Sequence, residues 1–402
     1  MCARSTLRIA AWSGTHGSCA APRCDTAAVQ DLLTFAARSR QPEGFGYLLA
    51  DGSVDPARGL ETWINARMTH VFSLALLSGE DTGSLVQHGI DAFRGSLHDA
   101  ENQGWFRSTA DPSKAAYEHA FVLLAGASAS AAGVDDQLVR DALDIWDERF
   151  WDDEAGAVVE SYAPDWSGLE AYRGANSNMH GVEAMLAAAD ALPDRADQLR
   201  QRALRVVERF VHREAGSRDW RLPEHFDAGW QVALDYNRDR PADPFRPYGV
   251  TVGHQFEWAR LAVHLASALE QPPQWLHDDA EGLYHAAVQR GGAADGHPGF
   301  VYTLDWEDRP VVTARMHWVL AEAISAAHVL GHTDDAVHWE ALADKVFLDP
   351  RTGNWHHELT PTGEVSTGTW SGQPDAYHVF QAQLLGRLPV RGSVAAALRS
   401  GA

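Results

Sequence analysis

Six times along this chain, an amphipathic helical segment runs into a short aromatic and glycine-rich hairpin and then into a second, more apolar helical segment. The units are roughly 50 to 80 residues long, which suits one helix, one hairpin and one helix in each. Six helical hairpins closed into a ring predict an all-α fold, an (α/α)6 barrel with short β-hairpins in the connections. We expect these hairpins at Gly44–Tyr47, Gly104–Phe106, Gly156–Glu160, Asp219–Leu222, Gly299–Tyr302 and Asn354–Glu358.

The inner helices of such a barrel are enclosed by the outer ones, so they should be apolar nearly all round. The segments that meet this condition are 62–78, 115–132, 176–191, 250–270, 311–330 and 374–386. Because outer and inner helices alternate, the inner N-terminal ends meet at one mouth of the barrel, where polar groups converge on a cavity. The groups near those ends are Arg67, His70, Tyr117, Asn176, His180, His254, Glu257, Trp318, Glu322 and His378.

The composition narrows the choice of partners and compartment. The formal net charge of −22 argues against nucleic acid or an anionic membrane as a partner, and no apolar run approaches the roughly 18 residues of a membrane span. All three cysteines lie within the first 24 residues, which is not a disulfide framework. We expect a cytoplasmic enzyme in which residues 1–25 form a disordered extension and residues 26–402 form a single catalytic barrel. The oligomeric state stays open, a homodimer included.

The segment with the most functional residues is a proline-rich loop, residues 235–249, that leads into an inner helix carrying His254 and Glu257. These two residues are three apart, so their side chains share one helix face. A carboxylate beside an imidazole raises its basicity, as a general base near neutral pH requires. A purely structural pair is the alternative, but the long adjoining loop favours chemistry.

Three further positions suit sugar recognition. Asn176 and His180 lie four residues apart on one helix face and offer donors and acceptors to neighbouring hydroxyls, although Asn176 is equally suited to cap its helix. Arg67 in an inner helix needs an acceptor, which is either a structural carboxylate or a ligand oxygen. His378 follows Pro374, which suits the first position of a helix, so this imidazole also lies at the mouth.

Cofactor motifs are missing from the sequence. There is no dinucleotide-binding glycine motif, Walker loop, His-Glu-x-x-His motif or calcium loop. His356 and His357 are adjacent in a predicted strand, so their side chains point to opposite faces and cannot both bind one ion. We therefore expect neither a metal nor a cofactor. Most of the fifteen tryptophans should be core, with Trp318, Trp355 and Trp370 as candidate sugar-stacking surfaces.

Several motifs, in order along residues 26–390, resemble the N-acylglucosamine 2-epimerase superfamily and, within it, the bacterial D-mannose isomerase branch. They are Arg67–Ser73, Asn176–Ala184, Pro244–Gly249, Gly253–Arg260, Arg315–Glu322 and Pro374–His378. The resemblance implies two catalytic histidines, at His254 and His378, with Glu257 in support. It implies no metal or cofactor, and a monosaccharide bound by Arg67, Tyr117, Asn176, His180, Arg246, Gln255, Trp318 and Glu322.

The activity that this resemblance implies is interconversion of D-mannose and D-fructose, and also of D-lyxose and D-xylulose, through a cis-enediol. The alternatives within the superfamily are a sugar 2-epimerase and a sulfoquinovose isomerase. More distant alternatives are an (α/α)6 glycoside hydrolase that uses Glu257 and Glu322 as its paired carboxylates, and a protein-binding toroid without activity.

Overall fold

The computed structural model describes residues 26–401, which form thirteen helices. In chain order these are α1 (Thr26–Ala36), α2 (Thr62–Leu77), α3 (Gly83–Arg94), α4 (Ala116–Ala131), α5 (Leu138–Ile145), α6 (Ala175–Ala191), α7 (Ala196–Val207), α8 (Val252–Ala268), α9 (Trp275–Ala286), α10 (His317–Leu330), α11 (Thr333–Val346), α12 (Tyr377–Leu385) and α13 (Val394–Gly401). Turns of π-helix continue α5, α7 and α9 over residues 146–150, 208–215 and 287–291.

The even-numbered helices α2 to α12 form the inner ring, in which each helix packs on the next and α12 packs back on α2. They are buried nearly all round because they are apolar on nearly every face, whereas the odd-numbered helices α1 to α11 form the outer ring. The predicted (α/α)6 barrel is confirmed. The inner helices begin close to their predicted positions except α10, which starts at His317 because the preceding residues 310–312 and 315–316 pair as strands.

Thirteen very short strands lie in the connections of the described chain. They are β1 (Arg40–Gln41), β2 (Gly44–Phe45), β3 (Lys114–Ala115), β4 (Trp151–Asp152), β5 (Ala157–Val158), β6 (Ser161–Tyr162), β7 (Tyr172–Gly174), β8 (His225–Asp227), β9 (Val250–Thr251), β10 (Thr303–Leu304), β11 (Pro310–Val312), β12 (Arg315–Met316) and β13 (Glu358–Leu359). All pairs are antiparallel: β1–β2, β3–β6, β4–β5, β7–β8, β9–β10, β10–β11 and β12–β13.

These strands link the repeat units around the mouth of the barrel. The residues just before an inner helix pair with the segment that follows the hairpin of the next unit, as β3 does with β6 and β12 with β13. The last link joins the ends of the ring, because the amide of Gln373 donates to the carbonyl of Leu48 at 3.0 Å. The inner N-terminal ends are thereby held at one mouth, while α13 packs on α2, α4 and α6 at the other end.

One predicted hairpin is wrong. Residues 219–222 pair with no strand in the described chain; instead Asp219 and Trp220 both adopt left-handed backbone conformations, with φ of 55° and 64°, directly after the turns that end the outer helix. The predicted extension 1–25 and its cysteines lie outside the described residues. Within residues 26–401, no helix combines the length and the apolar character needed to cross a bilayer.

Candidate active site

A cavity opens at the mouth where the inner helices begin. Its walls come from all six inner helices, from residues just before α12, and from the loop before α8. The lining residues are Trp63, Arg67, Tyr117, Asn176, His180, Pro244, Phe245, Pro247, His254, Glu257, Tyr302, His317, Trp318, His357, Trp370, Pro374, Asp375 and His378.

Two imidazoles in this cavity each hold a carboxylate through Nδ1. His254 on α8 lies 2.9 Å from Glu224, and His378 on α12 lies 2.9 Å from Glu322. A carboxylate accepts a hydrogen bond from Nδ1–H, and a neutral ring held in this way has a free lone pair on Nε2. Burial lowers the pKa of His378 although Glu322 opposes the shift, so this ring is neutral at neutral pH. Both rings are therefore suited to accept a proton.

The indole of Trp318 lies against both imidazoles, with ring centroids 5.2 Å from His254 and 5.8 Å from His378. It can approach α8 this closely because position 253 is glycine. A Cβ atom on Gly253 would lie only 2.7 and 2.8 Å from Cη2 and Cε3 of the indole, and closer still to Cζ3. Gly253 thus creates the space that lets one aromatic ring contact both histidines.

The predicted partner of His254 is wrong. Glu224, directly before β8, occupies its Nδ1, whereas Glu257 is turned into the barrel, 3.6 Å from both His180 and Arg260. Burial, followed by the negative charge of Glu322, raises the pKa of Glu257 well above its usual range. Glu257 therefore lines the cavity as a neutral carboxylic acid and not as a charged partner of His254.

An arginine at the floor of the site organises the buried carboxylates. Nε of Arg260 donates to Glu322 at 2.8 Å, and its terminal nitrogens lie 3.6 Å from Glu183 and Glu257. Burial alone would raise the pKa of Glu322, but Arg260 and His378 hold it below its usual range, so this carboxylate is charged. Glu322 does not line the cavity, contrary to its predicted contact with the sugar; it supports His378 from below.

Arg67 bridges the first and last units of the ring. Its guanidinium donates to Asp375 at 3.2 Å and to the hydroxyl of Tyr117 at 3.0 Å, and it lies over the ring of Phe121 at 4.5 Å. Burial would lower the pKa of Arg67, but Tyr117 and Asp375 outweigh it and raise the pKa. Arg67 is therefore a permanently charged donor whose charge is balanced by Asp375.

Asn176 and His180 offer unpaired polar atoms to the cavity. The side-chain oxygen of Asn176 and Nδ1 of His180 are buried and make no hydrogen bond. Burial lowers the pKa of His180 to about 4, so this imidazole is also neutral at neutral pH. Buried polar atoms without partners are costly, and a bound hydroxyl group would satisfy both. Asn176 is the second residue of α6, so it is not the helix cap.

Two other predicted sugar contacts lie elsewhere. Arg246 forms a two-pronged ion pair with Glu170, at 2.7 and 3.0 Å, and faces a larger neighbouring cavity. Gln255 points away from the cavity and donates to the carbonyl of Trp220 at 2.8 Å. Its neighbour in the motif, His254, faces the cavity. Successive residues of a helix point about 100° apart, so the side chain of Gln255 points elsewhere.

Of the other residues predicted at the mouth, one lines the cavity and two do not. Trp370 lines the cavity, whereas Trp355 is buried in the hydrophobic core. His70 lies deeper in the barrel, where its Nδ1 is 2.7 Å from the hydroxyl of Ser128.

The sequence did not indicate a second pair of histidines in the wall. His317, the first residue of α10, stacks on His357 with ring centroids 3.7 Å apart and an angle of 19°. Nδ1 of His317 lies 3.2 Å from the carbonyl of His357, and burial lowers the pKa of His317 to about 3. Glu224 and Asp375 were missed as well, because each comes from a segment that no local motif connects to its partner.

Some side chains that could hold a metal ion do come together, although the sequence carries no metal-binding motif. Within the described chain, two groups of three donors lie close enough to hold an ion. One is in the site itself: His180, Glu183 and Glu257. Arg260 lies 3.6 Å from both of these carboxylates and already supplies a positive charge there, which disfavours a metal cation. The second group lies on the outer wall.

Comparison with known proteins adds to this geometry. The family model described as N-acylglucosamine 2-epimerase matches residues 44–382. A protein of Thermobifida fusca named D-mannose isomerase is 52% identical over 91% of this chain and 94% of its own. Another of that name, from Pseudomonas cannabina pv. alisalensis, is 45% identical over 91% and 92%.

Solved structures of lower identity share the fold. A crystal structure of D-mannose isomerase superposes with a TM-score of 0.83 at 22% identity, covering 95% of this chain and 100% of that one. A cellobiose 2-epimerase of Spirochaeta thermophila has a TM-score of 0.77 at 21% identity, covering 90% and 95%.

Proposed function

The chain belongs to the N-acylglucosamine 2-epimerase family, and we propose that this enzyme interconverts D-mannose and D-fructose by histidine-mediated proton transfer. The observation that carries the proposal is the pair of cavity imidazoles, His254 and His378, each held by its own buried carboxylate. The names of the two relatives that share about half of their residues with this chain support the choice of sugar.

The reaction moves protons in a fixed order. His254 assists ring opening by taking the proton from the hydroxyl on C1 while the ring oxygen is protonated. In the open-chain aldose, Nε2 of His378 removes the proton from C2, and the electron pair forms a cis-enediolate whose oxygen is then protonated. Return of a proton to C1, with loss of a proton from the hydroxyl on C2, gives the ketose. Each positioned acid or base contributes about 10²- to 10⁴-fold to the rate.

Other residues hold the sugar and its developing charge. Arg67 donates to the enediolate oxygen, and such a donor stabilises charge more strongly in a cavity with little water than in bulk water. Asn176, His180 and the neutral acid Glu257 bind hydroxyl groups. Trp318 forms an aromatic surface beside both imidazoles.

The site chemistry also weighs against the distant alternatives. A glycoside hydrolase would need two free carboxyl groups, but Glu322 is bound by His378 and Arg260. A sulfonated sugar would need a free cation. Arg67 is the single arginine or lysine on the described cavity lining, and Asp375 balances its charge.

The test is product analysis with D-mannose in D₂O. We expect D-fructose as the first product, with solvent deuterium at C1 to the extent that the base exchanges before reprotonation. His254→Asn and His378→Asn should each lower kcat about 100-fold or more with unchanged circular dichroism. The His378 variant should also lose solvent exchange. D-glucose as the first product would favour the 2-epimerase instead, and near wild-type turnover in both variants would overturn the assignment.

We further propose a cytoplasmic enzyme whose turnover needs no metal.

A further inference from the structure

Three metal-binding side chains meet on the outer wall of the barrel. Glu281 and His285 lie one turn apart on α9, and His332 lies in the turn between α10 and α11. Oε2 of Glu281 is 2.9 Å from Nε2 of His332 and 3.4 Å from Nε2 of His285. The three donor atoms all lie within 4.8 Å of one another.

We propose that these residues bind a divalent cation of the zinc class. Zinc binds imidazole nitrogen and carboxylate oxygen at roughly 2.0–2.2 Å, so tetrahedral ligand atoms lie about 3.3 Å apart. The separations of 2.9 and 3.4 Å are close to this value. Three protein ligands leave the fourth position to water, which suits a partly exposed surface.

The ligand at position 332 is already oriented. Its ring stacks on Tyr284 with centroids 4.4 Å apart and an angle of 16°. The hydroxyl of Tyr284 donates to Asp335 at 2.7 Å, and this hydrogen bond fixes the Tyr284 ring on which His332 stacks. Stacking of this kind restricts how the His332 ring can turn. Little rearrangement is therefore needed before His332 can bind an ion.

The local charge also favours a cation at this group and not at the one in the active site. Among the described residues, Glu281 pairs with the two histidines and with no arginine or lysine within 4.0 Å. At the buried group, by contrast, Arg260 already supplies a positive charge 3.6 Å from Glu183 and from Glu257. The side chains of Glu281 and His285 are 39% and 55% exposed, so an ion can reach them from solvent.

Binding requires no net loss of protons from neutral histidines. Without the ion, Nε2–H of His332 donates to Glu281. On binding, a neutral ring carries its single proton on Nδ1 instead, so that Nε2 offers its lone pair to the ion. The hydrogen bond between His332 and Glu281 is then replaced by a shared ion, which ties α9 to the turn before α11. The expected effect is on stability of this wall and not on turnover.

The experiment uses the full chain, stripped of metal and titrated with ZnCl₂ by calorimetry. We expect one Zn²⁺ per chain, and a rise in Tm of about 3 °C at one hundred times the dissociation constant. His285→Ala and His332→Ala should each weaken binding about tenfold or more and abolish the rise in Tm, with unchanged kcat. His338→Ala, an exposed histidine on α11 outside the group, is the matched control and should behave as wild type.

Two results would overturn the proposal. One is the absence of measurable Zn²⁺ binding to the wild type. The other is unchanged affinity in both His285→Ala and His332→Ala, which would assign bound zinc to another site, such as the cavity histidines. Because the readouts are affinity and Tm, the outcome does not depend on which sugar the enzyme uses.

Discussion

Replacement of Gly253 by alanine tests whether the contact of one indole with both histidines matters for catalysis. The added methyl group would lie 2.7 and 2.8 Å from two atoms of the Trp318 ring, whereas carbon atoms in contact are about 3.5–4.0 Å apart. The indole must therefore move by about 1 Å. Misplacement by about 1 Å can cost 100-fold in rate, so we expect kcat/KM for D-mannose to fall about 100-fold.

The assay is fructose formation from mannose, with circular dichroism and Tm as checks on folding. Gly282→Ala is the matched control. Its new Cβ would lie 2.6 and 2.7 Å from ring atoms of Trp220, which makes the same kind of clash on the outer helix α9. Such overpacking costs about 1–3 kcal/mol, so both variants should lose some stability. Only Gly253→Ala should lose activity, and wild-type kcat/KM in that folded variant would refute the reasoning.

Two other predictions concern the same site, and a third concerns histidines buried deeper in the barrel. Glu224→Gln should lower kcat at least about tenfold, because it removes the charge that supports protonated His254. Glu257→Gln should change kcat little, because that acid is already neutral. Equal effects of the two substitutions on kcat at neutral pH would contradict this. Turnover should persist in EDTA, and activity that is lost there and restored by Mn²⁺ would rule out metal-free catalysis. Burial lowers the pKa of His70 and of His264 to about 4, from 6.5. Each of these histidines contributes its full share to the free energy of unfolding above about pH 6.5. That contribution falls by roughly 3 kcal/mol towards pH 4, because the histidine binds a proton in the unfolded chain at a higher pH than in the folded one. Urea unfolding from pH 7 to 4.5 should show this loss, with a shallower slope in His264→Gln.

The sequence was most informative where a pattern repeats. The alternation of amphipathic and fully apolar helical segments predicted the double ring, and the ring in turn predicted that the inner N-terminal ends meet. His254, His378 and Trp318 could be placed at the mouth for that reason. Neighbouring residues in the same motifs were harder to place, since Gln255 follows a cavity histidine in the sequence but faces outward.

The partners of the site residues could not be predicted, because they come from other units. Local spacing shows that Glu257 and His254 share a helix face, but not that Glu224, thirty residues earlier, takes the hydrogen bond. Similarly, no local motif connects Arg67 with Asp375, or His332 with the Glu281 and His285 pair. Such contacts depend on how neighbouring units pack, which periodicity does not describe.

The link between Leu48 and Gln373 bears on how the enzyme matures in the cell. The ion pair between Arg67 and Asp375 crosses the same seam, so the substrate cavity is unfinished until the last repeat docks against the first. During synthesis the earlier units emerge first and can pack only as an open arc with an apolar edge. Closure over so long a stretch of chain is slow compared with local helix formation. A nascent or C-terminally shortened chain is therefore an inactive arc that invites chaperones or self-association.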